Sequence, residues 1–209
     1  MQNKTDKFLN SIGKKLQVIG PLEFDKSKIS SSLPTVVIDG GLNHELSFEN
    51  QLSIGDGDSA KDEHRIKIDI HLNQEKDYSD LGYLFNLLDE TYLKKHLVTL
   101  EKVELWGFLG KRRDHEFINI LEAYSFLKNR SQLVIAFEEE VLCLSKGDYE
   151  FDRMGTFSLI SLDSTEVQIA GSVKYPFKGL LKASSSHGLS NESQGSFKLK
   201  ASGPLILFK

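Results

Sequence analysis

From Leu33 to about Lys128, short apolar runs alternate with stretches of helical periodicity, and several of the runs stop at glycine or aspartate. Val36-Val37-Ile38 stops at Asp39-Gly40-Gly41, Leu52-Ser53-Ile54 at Gly55-Asp56-Gly57-Asp58, and Val103-Glu104-Leu105-Trp106 at Gly107. Runs of this length and ending predict strands that each deliver a loop. Between them, Leu81, Leu84, Phe85 and Leu88 follow Asp80, and Ile118, Leu121, Tyr124 and Leu127 follow Asp114. Spacings of three and four put each set on one helix face, with an acid near the positive end of the helix dipole. Strands alternating with helices predict an α/β domain with a mainly parallel sheet.

After Asn129 the pattern changes. Leu133 to Phe137, Val141 to Leu144, Phe157 to Leu162, Val167 to Ala170, Phe197 to Leu199 and Leu205 to Phe208 are short and strand-like, and glycines separate them. No helical periodicity remains. This half predicts an all-β sandwich or jelly-roll-like domain, so the chain divides into an α/β domain over 1–130 and a β domain over 131–209.

Charge narrows the partners. A formal charge of -4 offers no global attraction to nucleic acid or to an anionic membrane, so a polyanion must be held by a local site. The lysines of Met1 to Lys15 precede no continuous apolar segment, so neither a signal peptide nor a membrane span is expected, and the expected location is the cytoplasm. On that expectation, the Asn-x-Ser/Thr triplets at Asn3, Asn129 and Asn191 carry no glycosylation meaning. The single cysteine, Cys143, rules out an internal disulfide and reads as a packed thiol between Leu142 and Leu144.

Three loops carry candidate chemistry. In Gly55-Asp56-Gly57-Asp58-Ser59 the glycines let the backbone turn so that two carboxylates approach one cation, and oxygen-only ligands suit Mg²⁺ with substrate phosphates. A polar turn explains the same residues, but an EF-hand does not, because Ala60, Lys61 and Lys67 fall where ligands and the obligatory glycine belong. Lys76-Asp77-Tyr78-Ser79-Asp80 opens a helix: Asp77 can cap it and Asp80 can sit in its first turn, or Asp80 can serve a metal, Lys76 a phosphate and Ser79 a nearby ligand. Gly107 to His115 is a strand end, a glycine loop and a helix start, where free amides and the fork of Arg112 suit phosphate oxygens and Asp114 can be an N-cap. The chain lacks both a Gly-x-x-x-x-Gly-Lys-Ser/Thr loop and a Gly-x-Ser-x-Gly elbow.

Taken in order, Asp39-Gly40-Gly41, Gly55 to Ser59, Lys76 to Asp80, Gly107 to His115 with Asn119, Gly155 to Leu159 and Gly188-Leu189-Ser190-Asn191 resemble the thiamine pyrophosphokinase family, from about Val36 onward. The resemblance implies transfer of diphosphate from ATP to thiamine with Mg²⁺, in a homodimer whose active sites lie between subunits. It makes Asp56, Asp58 and Asp80 metal ligands and gives catalytic weight to Arg112. It places Asp39, Gly40, Gly41, Lys76, Ser79, Arg112 and Asp114 on the nucleotide side, and Ser190 and Asn191 on the acceptor side. The chain departs from the family pattern at Lys111, where a second glycine is usual, at Gly57, where a bulkier apolar residue is usual, and at Ser79, where threonine is usual. Two other readings stand beside this one: the same chemistry on another small alcohol such as a hydroxymethyl-pterin, and a non-catalytic relative that binds thiamine or nucleotide.

Overall fold

A computed structural model describes residues 4–75, 77–95 and 100–209, with 91–95 as backbone only. It separates into two compact units, Met1–Glu122 and Ala123–Lys209.

In the first unit the described elements are α1 (Lys4–Ser11), β1 (Lys15–Ile19), β2 (Thr35–Ile38), β3 (Gln51–Gly55), α2 (Asp62–Arg65), β4 (Ile70–His71), α3 (Asp80–Lys95) and β5 (Lys102–Trp106). The helix α4 (Arg113–Leu127) begins here. The strands are parallel in the order β5-β1-β2-β3-β4. Buried Leu81, Leu84, Phe85 and Leu88 form the inner face of α3, as their spacing predicts.

The strand β1, between β5 and β2, lies outside the region that the periodicity marked as α/β. Its run is broken by Gln17, which is fully buried. That amide is satisfied by the start of β2 and the loop before it: Nε2 donates to Ser30 O and Thr35 Oγ1, both at 3.2 Å, and Oε1 accepts from Ser30 N at 2.9 Å. A buried polar group held in this way costs little, but it breaks the apolar run that would mark a strand. A second correction concerns α4. Tyr124 and Leu127 are buried as their spacing predicts, together with Ile120, Ala123 and Phe126, whereas Ile118 is 46% exposed, so the predicted stripe holds only in the last turns.

The second unit holds β6 (Val134–Phe137), β7 (Val141–Leu144), β8 (Gly147–Ile160), β9 (Thr165–Val173), β10 (Phe177–Leu181), β11 (Asn191–Ala201) and β12 (Leu205–Phe208), ordered β6-β7-β12-β8-β11-β9-β10 and antiparallel. The last residues of α4 belong with it. Tyr124 Oη lies 3.1 Å from Ser161 Oγ and accepts from the amides of Leu162 and Asp163 at 3.1 and 3.2 Å. The long strand β8 pairs with β11 as far as Phe157 and with β12 from Ser158 onward, so it serves both groups of strands. Leu142 and Leu144, Leu205 and Leu207, and Phe157, Val167, Ile169, Phe197 and Leu199 then meet in one core. Phe197 stacks on Phe151 and Phe157 at centroid distances of 5.1 and 4.8 Å. Cys143 is buried within β7, where loss of hydration pushes its thiol far above the ordinary value. No helix among the described residues is long and apolar enough to cross a membrane.

Candidate functional site

In the first unit β5 lies beside β1 while β2, β3 and β4 run outward on the other side, and open sheets of this kind bind ligands beyond the carboxyl ends of their strands. The end of β2 delivers Asp39, and the end of β3 delivers Asp56 and Asp58. Because the register pairs Ile38 with Ile54, the two loops start side by side. Carboxylate oxygens of Asp39, Asp56 and Asp58 all lie within 4.8 Å of one another.

Asp39 organises this group. It follows β2 directly, takes a left-handed backbone (φ 40°) and opens a 3₁₀ turn over Asp39–His44. Its Oδ1 accepts from Gly57 N at 2.9 Å and its Oδ2 from Ser59 N at 3.0 Å, so one carboxylate holds the 56–59 loop in place. Within the loop, Asp56 Oδ1 accepts from Asp58 N at 3.1 Å and Asp58 Oδ1 from Ser59 Oγ at 2.8 Å. The approach needs small residues. A Cβ on Gly55 would come within 2.8 Å of Asp39 Cβ, and one on Gly41 within 2.6 Å of Ile19 O. Burial pushes the Asp39 carboxyl above its usual range against the pull of the two amides, and the nearby Asp58 charge adds to that rise.

This donor set fits a hard divalent ion. The three groups offer oxygen only, and with Asp39 ionised they concentrate negative charge that a cation relieves. A magnesium ion bound directly by all three would hold their oxygens within about 4 Å of one another, given its metal-oxygen distance of about 2.1 Å. The observed spread therefore needs only a small contraction.

The family resemblance groups Asp56 and Asp58 with Asp80 as metal ligands and has Asp39 lining the same cleft on the nucleotide side, whereas the structure brings Asp39 to the pair itself. Asp80 is not in that group; it opens α3 in the loop after β4. The helix cap is Ser79 rather than Asp77: Ser79 Oγ accepts from Gly82 N at 2.9 Å and donates to Glu122 Oε2 at 2.5 Å. Lys76 lies outside the described residues.

Beyond β5, Arg112 and Asp114 are exposed and tied to each other. Arg112 Nε donates to Asp114 Oδ1 at 3.0 Å and Nη2 to Oδ2 at 2.6 Å, and this fork holds the Asp114 carboxyl well below the usual carboxylate range. Glu116 accepts from Gly110 N at 2.9 Å and from the Arg113 guanidinium. Lys111, at the position where a second glycine is usual, has φ 46°, a left-handed conformation that favours glycine.

The second unit contains a cavity of about 230 Å³ walled by Leu159, Tyr175, Phe177, His187, Leu189 and Asn191, among others. Asn191 is buried, and its amide is engaged by backbone. Oδ1 accepts from Tyr175 N at 3.1 Å and Glu192 N at 2.8 Å, and Nδ2 donates to Tyr175 O at 2.8 Å. It shapes the cavity by fixing the Tyr175 segment. Ser190 is exposed, with a left-handed backbone (φ 57°) and its amide donated to Ser158 Oγ at 3.0 Å.

A profile of the family described as "Thiamin pyrophosphokinase, catalytic domain" matches residues 26–135. The fold is similar to that of thiamine pyrophosphokinase from Bacillus subtilis, at 21% identity over 94% of this chain and 98% of that one, with a TM-score of 0.68. It is also similar to thiamin pyrophosphokinase from Geobacillus thermodenitrificans (21% identity, 92% and 95% covered, TM-score 0.68) and from Candida albicans (14%, 96% and 89%, 0.66). A search of curated protein sequences finds no significant match.

Proposed function

The chain belongs to the thiamine pyrophosphokinase family, and on that basis we propose that it transfers the diphosphate group of ATP to the hydroxyl of thiamine in the cytoplasm, with Mg²⁺. The hydroxyl oxygen attacks the β-phosphorus and loses its proton late, to solvent, while the bond from that phosphorus to the α,β-bridging oxygen breaks, and AMP and thiamine diphosphate leave. The observation that carries this reading is the convergence of Asp39, Asp56 and Asp58 at the ends of two adjacent parallel strands. Those three residues would hold the magnesium ion, with Asp80 as a further ligand on the family resemblance. When bound, the ion supplies charge neutralisation along the triphosphate.

The chain's own groups do the rest. Asp39 holds the carboxylates of the 56–59 loop in register by its grip on the Gly57 and Ser59 amides. Gly40 and Gly41 keep the neighbouring backbone close enough for a nucleotide to lie along it. Arg112 meets phosphate oxygens by exchanging its partner Asp114, both being exposed to solvent. Lys76 and Ser79 are assigned to the same side. The aromatic walls of the second unit's cavity, Tyr175 and Phe177, suit the flat, cationic face of thiamine, with Asn191 in the same lining and Ser190 assigned to the acceptor side on the family resemblance. The family resemblance further supports a homodimer whose active sites lie between subunits.

The experiment is a product analysis. Incubated with ATP, thiamine and Mg²⁺, the protein yields AMP and thiamine diphosphate in equal amounts. ADP as the nucleotide product would show that one phosphoryl group moves. AMP formed only with a hydroxymethyl-pterin would keep the chemistry and replace the acceptor.

A further inference from the structure

A second group of metal-ligating side chains lies in the first unit, separate from the aspartates. Glu45, Glu63 and His64 each offer one ligand atom, and these atoms lie within 4.8 Å of one another. Both glutamates are exposed, whereas only 4% of the His64 side chain is accessible. His64 Nε2 stands 4.0 Å from Glu45 Oε1 and 3.9 Å from Glu63 Oε1 and makes no hydrogen bond among the described residues.

The state of that ring is set by Asn43. Asn43 Nδ2 donates to Ser59 O at 2.9 Å, and its Oδ1 accepts from Lys61 N at 3.0 Å. Turning the amide over would face an N–H with an N–H and a carbonyl with a carbonyl, so its orientation is fixed. The atom 3.2 Å from His64 Nδ1 is therefore an acceptor, and Nδ1 carries a proton. In the neutral ring the lone pair then belongs to Nε2, which points at two carboxylates. Left alone, that arrangement sets a lone pair against two negative charges. With a cation between them it becomes a ligand set, in which Asn43 orients the imidazole from behind as outer partners of metal-bound histidines do.

We propose that His64, Glu45 and Glu63 form a binding site for a divalent first-row transition ion, of which zinc is the natural probe. An imidazole nitrogen selects such ions over magnesium, and two carboxylates complete three protein ligands, leaving a fourth position for water. Zinc at about 2.0–2.2 Å from each ligand atom would set those atoms about 3.3–3.5 Å apart. The two nitrogen–oxygen separations close to that by about 0.4–0.7 Å, and the two glutamate oxygens, within 4.8 Å of each other, are brought together by rotation of their exposed side chains. Asn43 also links this site to the carboxylate loop, because the residues it holds, Ser59 and Lys61, lie at and just beyond the end of that loop.

The test is zinc titration of the full chain by calorimetry in excess Mg²⁺, with the melting temperature as a second readout. Wild-type protein binds one zinc ion and melts higher with it. Glu63→Gln and Glu45→Gln, both surface changes, each weaken zinc more than about tenfold, the lower range seen for loss of an outer partner alone. Asp58→Asn leaves zinc binding intact. Three results would each overturn the proposal. One is the absence of binding, which would mean an imidazolium simply paired with its two carboxylates. The second is zinc affinity unchanged in both glutamate variants. The third is zinc binding lost in Asp58→Asn, which would place the ion on the aspartates.

Discussion

At the ends of β2 and β3 three carboxylates stand within 4.8 Å of one another, whereas the cavity of the second unit has mainly apolar and aromatic walls and an amide, Asn191, held by backbone through both its oxygen and its nitrogen. The first arrangement gathers like charge around an acid whose burial pushes its carboxyl above the usual range. In the second, both acceptor positions of the Asn191 side chain and one of its N–H groups meet backbone. Substitution should therefore separate activity from stability in the first region and couple them in the second.

The largest effect is expected at Asp58. Asp58→Asn removes one exposed carboxylate of the cluster, and AMP release should fall on the order of a hundredfold or more. The melting temperature should hold or rise, since repulsion within the cluster is eased. Unchanged turnover would remove Asp58 from the site and dissolve the contrast.

Asn191→Ala should do the reverse. It leaves the Tyr175 amide and carbonyl and the Glu192 amide without their side-chain partner, at a cost of about 2 kcal/mol in urea unfolding. Once the Tyr175 segment loosens, KM for thiamine should rise more than kcat falls. A variant as stable as wild type would show that the clamp is not what shapes the cavity.

The smallest effect is expected at Lys111. Its left-handed backbone costs about 1–2 kcal/mol in a residue with a side chain, and glycine returns roughly half of that gain through the looser unfolded chain. Lys111→Gly should therefore stabilise the protein by about 0.5 kcal/mol. A loss of stability instead would assign the ammonium group a favourable contact in the folded chain.

Much of the fold was legible because it rests on local pattern. The strands that end at Asp39, Gly55 and Gly107 fall where their apolar runs stop, and the face of α3 follows its spacing. What escaped depends on partners distant in sequence. β1 is interrupted by a buried glutamine whose hydrogen bonds go to Ser30 and to Thr35 on the neighbouring strand. The first half of β8 sets single apolar residues, Tyr149 and Phe151, between charged ones, which a search for apolar runs passes over. On α4 the predicted stripe holds at Tyr124 and Leu127, which pack within the second unit around Ser161, and fails at Ile118.

The candidate site shows the same limit. Asp56 and Asp58 are visible as a pair because one glycine separates them. Asp39 joins them only through the pairing of β2 with β3, and strand order is not written in any single loop. His64 carried no signal of its own, since a lone histidine in a charged stretch gains meaning only when Asn43, Glu45 and Glu63 stand around it.

The burial of Cys143 has a practical consequence for anyone working with this protein. As the sole cysteine, sealed in β7 with its thiol held in the unreactive form, it leaves the native chain blank to maleimide dyes. A cysteine introduced on any exposed loop can then carry a fluorophore alone, and labelling of the natural thiol becomes a clock for how often the β unit opens.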